Sequence, residues 1–125
     1  MLRIQRAYEP PAKENGTRIL VERLWPRGLT KERAKIDLWL KELAPSAALR
    51  QWFGHDPAKW REFCKRYERE LASHRELVAQ LASQAESGRV TLVFAARDAT
   101  HNSALVLKQV LEKATRRRSH HGAKS

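Results

Sequence analysis

Leu2 and Ile4 alternate with Arg3 and Gln5, the two-residue period of a strand with one buried face, and the run from Glu9 to Asn15-Gly16 ends it in a turn. Ile19-Leu20-Val21 is continuously apolar, the pattern of a strand covered on both faces, and Glu22-Arg23 puts charge at its exit. Val90-Thr91-Leu92-Val93-Phe94-Ala95-Ala96 carries no charge at all, which predicts a central strand; charge returns at Arg97-Asp98.

Between the second and third strands the period lengthens to that of helices. Trp25-Pro26-Arg27-Gly28 is a loop, because Pro26 lacks the donor a central strand needs and Gly28 supplies backbone freedom. Thr30 can cap a short helix, Asp37 a second one through Leu38, Trp39, Leu40 and Leu43, and Ser46 a third that ends near Gly54. Asp56-Pro57 then opens an amphipathic helix with Trp60, Phe63, Cys64, Tyr67 and Leu71 on one stripe. Ser73 with Glu76 fits a capping box, so Leu77, Val78, Leu81 and Ala85 belong to a second segment, separate or kinked, that stops at Ser87-Gly88. A last helix runs from about Thr100 to Arg116.

A long helical crossover between strands is what a parallel pair requires. The expected fold is therefore a small three-layer α/β sandwich with a mostly parallel sheet and helices on both faces. At 125 residues the chain is expected to form one domain over residues 1–116, followed by a basic, disordered tail over 117–125 that has no core-forming side chain.

Composition adds a sign to this picture. With 25 Lys and Arg against 14 Asp and Glu, the formal net charge is +11, which favours polyanions, phosphorylated ligands or acidic partners. The five basic residues from Lys113 onward (Lys113, Arg116, Arg117, Arg118, Lys124) meet no acidic one and supply nearly half of that excess. The single cysteine, Cys64, argues against a disulfide-built secreted scaffold and for the cytoplasm, and no segment is apolar enough to span a bilayer.

Ligands of such sheets settle beyond the carboxyl ends of the strands, where helix N-termini present free donors. Arg23, Trp25, Arg27, Arg97, His101 and Asn102 are accordingly the expected ligand-binding residues. Glu22, Asp98 and His101 are the candidates for proton transfer. Each has a structural alternative: for Glu22 and Arg23 an ion pair tying the strand end to a neighbouring helix, for Trp25 a rigid turn, for His101 with Asn102 a helix cap. His55 reads as a hydrogen-bonded loop histidine, and Cys64 as core. Neither the cysteine and histidine spacings nor any glycine-rich signature indicates a metal or a cofactor, so none is expected.

The blocks Arg18-Ile19-Leu20-Val21-Glu22-Arg23-Leu24-Trp25-Pro26-Arg27-Gly28, Ala44-Pro45-Ser46, Leu49-Arg50-Gln51-Trp52-Phe53-Gly54-His55-Asp56-Pro57 and His101-Asn102-Ser103-Ala104 resemble the YeaO-like branch of domain-of-unknown-function family 488. The resemblance covers about residues 3 to 112 and implies a small bacterial three-layer α/β domain, without bringing an activity. Members of that family usually carry Asp where this chain has Glu22. Some wider relatives carry a Cys-His-Arg run where this chain reads Asn102-Ser103-Ala104, so chemistry resting on that cysteine is not carried over.

Two functions follow from the residues. One is a small anionic ligand, phosphate-bearing or nucleotide-like, bound at the carboxyl edge of the sheet, with or without chemistry. The other is a nucleic-acid-binding or regulatory module that uses the basic tail and the helical stretch Arg61, Lys65, Arg66 and Arg69, although Glu62, Glu68 and Glu70 interrupt that stretch. A pure interaction subunit remains the third alternative.

Overall fold

The computed structural model describes residues 1–124, with side chains described through Arg116; the tail expected over 117–125 falls outside those side chains. Strands β1 (Leu2–Arg6), β2 (Thr17–Leu20), β3 (Leu38–Trp39) and β4 (Val90–Phe94) form one sheet in the order β1-β4-β2-β3. Every pairing is parallel, with Ile4 and Ile19 both registered on Leu92. Helices α1 (Lys31–Ala34), α2 (Ala47–Phe53), α3 (Trp60–Ala72), α4 (Arg75–Ser87) and α5 (Ser103–Lys124) pack against it.

The crossover from β2 to β3 moves outward across the sheet, and the one from β3 to β4 returns. The right-handed rule for parallel crossovers therefore sends them to opposite faces. Packing agrees. Ile19, Val21, Val90, Leu92 and Phe94 share a cluster with side chains of α2, α3, α4 and α5. Ala7, Leu20 and Val93 face the other way, under Trp25, Leu29, Ile36 and Trp39. The layers are unequal: four helices on one side, and on the other the segment 24–36 with the single-turn α1. Cys64 is half-buried against the main core.

Local signals set the starts of α1, α2 and the 3-10 turn Pro57–Lys59 that leads into α3. The side chains of Thr30, Ser46 and Asp56 accept hydrogen bonds from the N–H groups of Arg33, Leu49 and Ala58. Two expectations fail. Asp37 does not cap a helix: its carboxylate takes the Arg18 N–H at 2.8 Å, its own N–H goes to the Arg18 carbonyl, and Leu38–Trp39 pairs with Ile19–Leu20 as an edge strand. Ser73 does not open α4 either; its hydroxyl turns back to the Glu70 carbonyl at 2.6 Å and it closes α3, so α3 and α4 are separate helices.

Arg18 is only 3% exposed, on the thin-layered face. Its Nε donates to the Ala34 carbonyl and its Nη1 to Gln5 and Asn15, which ties α1 and the first turn to the sheet. Burial lowers the pKa of its guanidinium and Asp37 opposes that, but an arginine stays charged.

Gly16 has φ +64°, and a Cβ there would lie 2.3 Å from the Arg89 carbonyl oxygen, the acceptor for Thr17 N–H at the mouth of β2. Gly16→Ala is expected to destabilise the fold by more than about 1 kcal/mol in denaturant unfolding. An unchanged midpoint would mean that the close approach is relieved at no cost.

Candidate functional site

Parallel strands bring their carboxyl ends to one edge, and there β2, β4 and the start of α5 meet. A cavity of about 520 Å³ opens between them and α2. Phe53, Phe63, Ala95 and Ala96 make its apolar side, while Glu22, Arg50, Gln51, His55, His101 and Ser103 bring the polar groups.

Glu22 lies two residues beyond the end of β2. One of its carboxylate oxygens accepts the Ala95 N–H at 3.2 Å, joining positions 73 residues apart, and its backbone carbonyl takes the Trp39 indole at 2.6 Å. Burial pushes its carboxyl pKa up; the Ala95 N–H and the charge of Arg50 pull it back. Neither Glu22 nor Arg23 comes within ion-pair distance of an opposite charge among the described residues, and Arg50 of α2 acts on Glu22 from farther off.

The turn before α5 is built on Asp98. Its Oδ1 accepts from Thr100 N–H, Thr100 Oγ1 and His101 N–H, and its Oδ2 lies 2.9 Å from His101 Nδ1. The Thr100 N–H bond first, then the His101 side chain, hold the Asp98 carboxyl down to about 2. His101 meets Trp60 edge-on, with ring centroids 5.2 Å apart. Asn102, 3% exposed, spends its side chain locally: Oδ1 accepts the Leu105 N–H and Nδ2 donates to the Asp98 carbonyl.

The remaining expected residues lie around this volume. Arg23 turns away from Glu22: its Nε is 3.4 Å from the Pro45 carbonyl, and it lines a second cavity of about 270 Å³ with Ser46, Tyr67, Glu70 and His74. Pro45 faces the first cavity and Ser46 the second, so this short segment is the wall between them. Trp25 packs edge-on against Trp39 at 5.5 Å and donates to the Leu29 carbonyl, a place in the smaller core. Arg27 is exposed, its carbonyl accepting from the Tyr8 hydroxyl, and it lines neither cavity. Arg97 is exposed just beyond Ala96.

Arg50 and Arg6 were not marked by their spacing. Arg50 sits in a block that carried the resemblance, on the α2 turn that only the folded crossover brings to the sheet edge. Arg6 donates from Nε to the carbonyl of Ala96, a lining residue, and lies 5.8 Å from the Tyr8 ring centroid. Among the described residues no three His, Cys, Asp or Glu side chains come together in a way that could hold a metal ion. No helix among them is long and apolar enough to cross a membrane.

These features define a small all-parallel α/β protein with a cavity at the carboxyl edge of its sheet. Its family follows from comparison: residues 1–125 match the family described as "Inactive DUF488-N3 subclade", and the chain belongs to it. It is 40% identical over 106 residues to the uncharacterized protein YeaO of Escherichia coli (strain K12), covering 85% of this chain and 92% of that protein. It is 38% identical over 110 residues to the uncharacterized protein Rv3073c of Mycobacterium tuberculosis, covering 88% and 92% of the two chains. No solved structure matches it significantly.

The raised Glu22 pKa has a consequence for stability. A carboxyl that binds its proton more tightly when folded stabilises the fold fully below its unfolded pKa, and that share is lost as pH rises through the folded value. Glu22→Gln cannot ionise. Its stability relative to the parent protein should therefore grow between about pH 4 and pH 7, read from paired melting curves. A gap that shrinks instead would mean that the fold favours the carboxylate.

Proposed function

We propose that this protein binds a small anionic ligand, phosphate-bearing or nucleotide-like, in the cavity at the carboxyl edge of its sheet. The observation that carries the reading is an apolar cavity wall beside arginines that no carboxylate among the described residues approaches to ion-pair distance, Glu22 acting on Arg50 only from farther off. Arg50 stands in the lining, Arg6 is bonded to the carbonyl of the lining residue Ala96, and Arg27 and Arg97 are on the loops outside it. None of the four forms an ion pair with a described residue. Unpaired arginines suit phosphate and carboxylate groups, which they can grip through two parallel hydrogen bonds.

Binding without turnover agrees with the word "inactive" in the subclade's description. Asp98 is held deprotonated by the turn it organises, and it occupies one ring nitrogen of His101. Glu22 is the proton-transfer candidate whose carboxyl keeps an oxygen without a donor among the described residues.

Calorimetry with inorganic phosphate, ribose 5-phosphate and nucleoside monophosphates at two salt concentrations tests the proposal. Arg50→Ala is expected to weaken binding by ~1.5–3 kcal/mol, the worth of a hydrogen bond to a charged group. The affinity should also fall only modestly with salt, whereas contact with a nucleic-acid backbone collapses steeply. No binding at low salt, or binding indifferent to Arg50 and steeply salt-dependent, would overturn it.

A further inference from the structure

We infer that Glu22 selects, within this cavity, for a planar ring that presents two adjacent N–H donors, as a guanine-type nucleotide does. The inference rests on the ligand reading above and names the class of ligand for the same site.

Three observations support it. Glu22 lines the cavity with one carboxylate oxygen bound to the Ala95 N–H and the other accepting no hydrogen bond from any described residue. Its neighbours in the lining include Phe53 and Phe63, whose ring centroids lie 4.5 Å apart, so the wall is aromatic and suits a flat ring. Arg50 lines the same cavity and acts on Glu22 electrostatically. A carboxylate half withdrawn from water is costly until donors reach it, so the ligand that supplies them is favoured.

The donors can be narrowed. A ligand ammonium would satisfy the carboxylate but would be repelled by Arg50. A lone hydroxyl engages one oxygen. Two neighbouring neutral N–H groups on a ring match the two oxygens of a carboxylate and bring no positive charge. Guanine presents such a pair on one edge, hypoxanthine a single N–H, and adenine a ring nitrogen acceptor that would face the carboxylate unfavourably. The phosphate of the same molecule would then fall to Arg50 and to the arginines on the loops outside the cavity.

Titration calorimetry with guanosine, inosine and adenosine 5′-monophosphates and with ribose 5-phosphate decides the matter. The protein should bind the guanosine nucleotide at least about tenfold tighter than the adenosine one, with inosine between them, the scale of a charge-assisted hydrogen bond. Glu22→Gln, which keeps an oxygen for the Ala95 N–H, should abolish that preference, bringing the three nucleotides to within about twofold of one another. The series on the unsubstituted protein reads the same preference without any variant. Equal affinities, or a preference that survives Glu22→Gln, would overturn this inference and leave phosphate binding standing. No binding by any of the four would overturn both.

Discussion

β4 is buried at every position from Val90 to Phe94 and receives parallel hydrogen bonds from β1 on one side and β2 on the other, so both neighbours must run the same way as it does. From that follow the crossovers, the unequal layers and the gathering of strand ends at one edge. The bond from Ala95 N–H to the Glu22 carboxylate marks where this ordering stops: β4 has just left the sheet, and its first free donor goes to the charged side chain that closes β2. The cavity lies where the ladder ends and the next helix has yet to begin.

Two charged side chains withdrawn from water, Arg18 buried and Glu22 half-buried, are handled differently. Arg18, on the thin-layered face, is tied by Ala34, Gln5 and Asn15, although its Nη2 has no partner among the described residues. Its bonds join the β1–β2 turn, α1 and the sheet into one unit, which suits a structural role. Glu22 has a single donor among the described residues and faces a cavity. A structural carboxylate would be expected to be surrounded by donors, as Asp98 is by Thr100 and His101. That contrast is why Glu22, and not Asp98, is central to the proposed site.

The sequence was legible where the deciding interaction is local. Thr30, Ser46 and Asp56 cap within a turn of themselves, and the stripe of Phe63, Tyr67 and Leu71 needs only the helical period. It was misleading where a distant partner outbids a local one. Asp37 has every qualification of a helix cap, but β2 offers its neighbours a ladder and its carboxylate the Arg18 N–H. Ser73 finds the Glu70 carbonyl before it can serve α4. At the site, Glu22, His101 and Asn102 could be placed because strand ends and helix starts are readable. Arg23 could not, since its position depends on which side of Pro45 it falls, and Arg50 depends on how α2 docks.

Backbone amide shifts in a heteronuclear NMR titration with ribose 5-phosphate would test the central claim most directly, because they report where a ligand sits without presuming its affinity. The account predicts shifts at Arg50 to Phe53, at Ala95 and Ala96, and at His101 to Ser103, the segments that surround the cavity. Shifts confined to the exposed basic positions of α3, Arg61, Lys65 and Arg69, with the cavity amides unmoved, would contradict it.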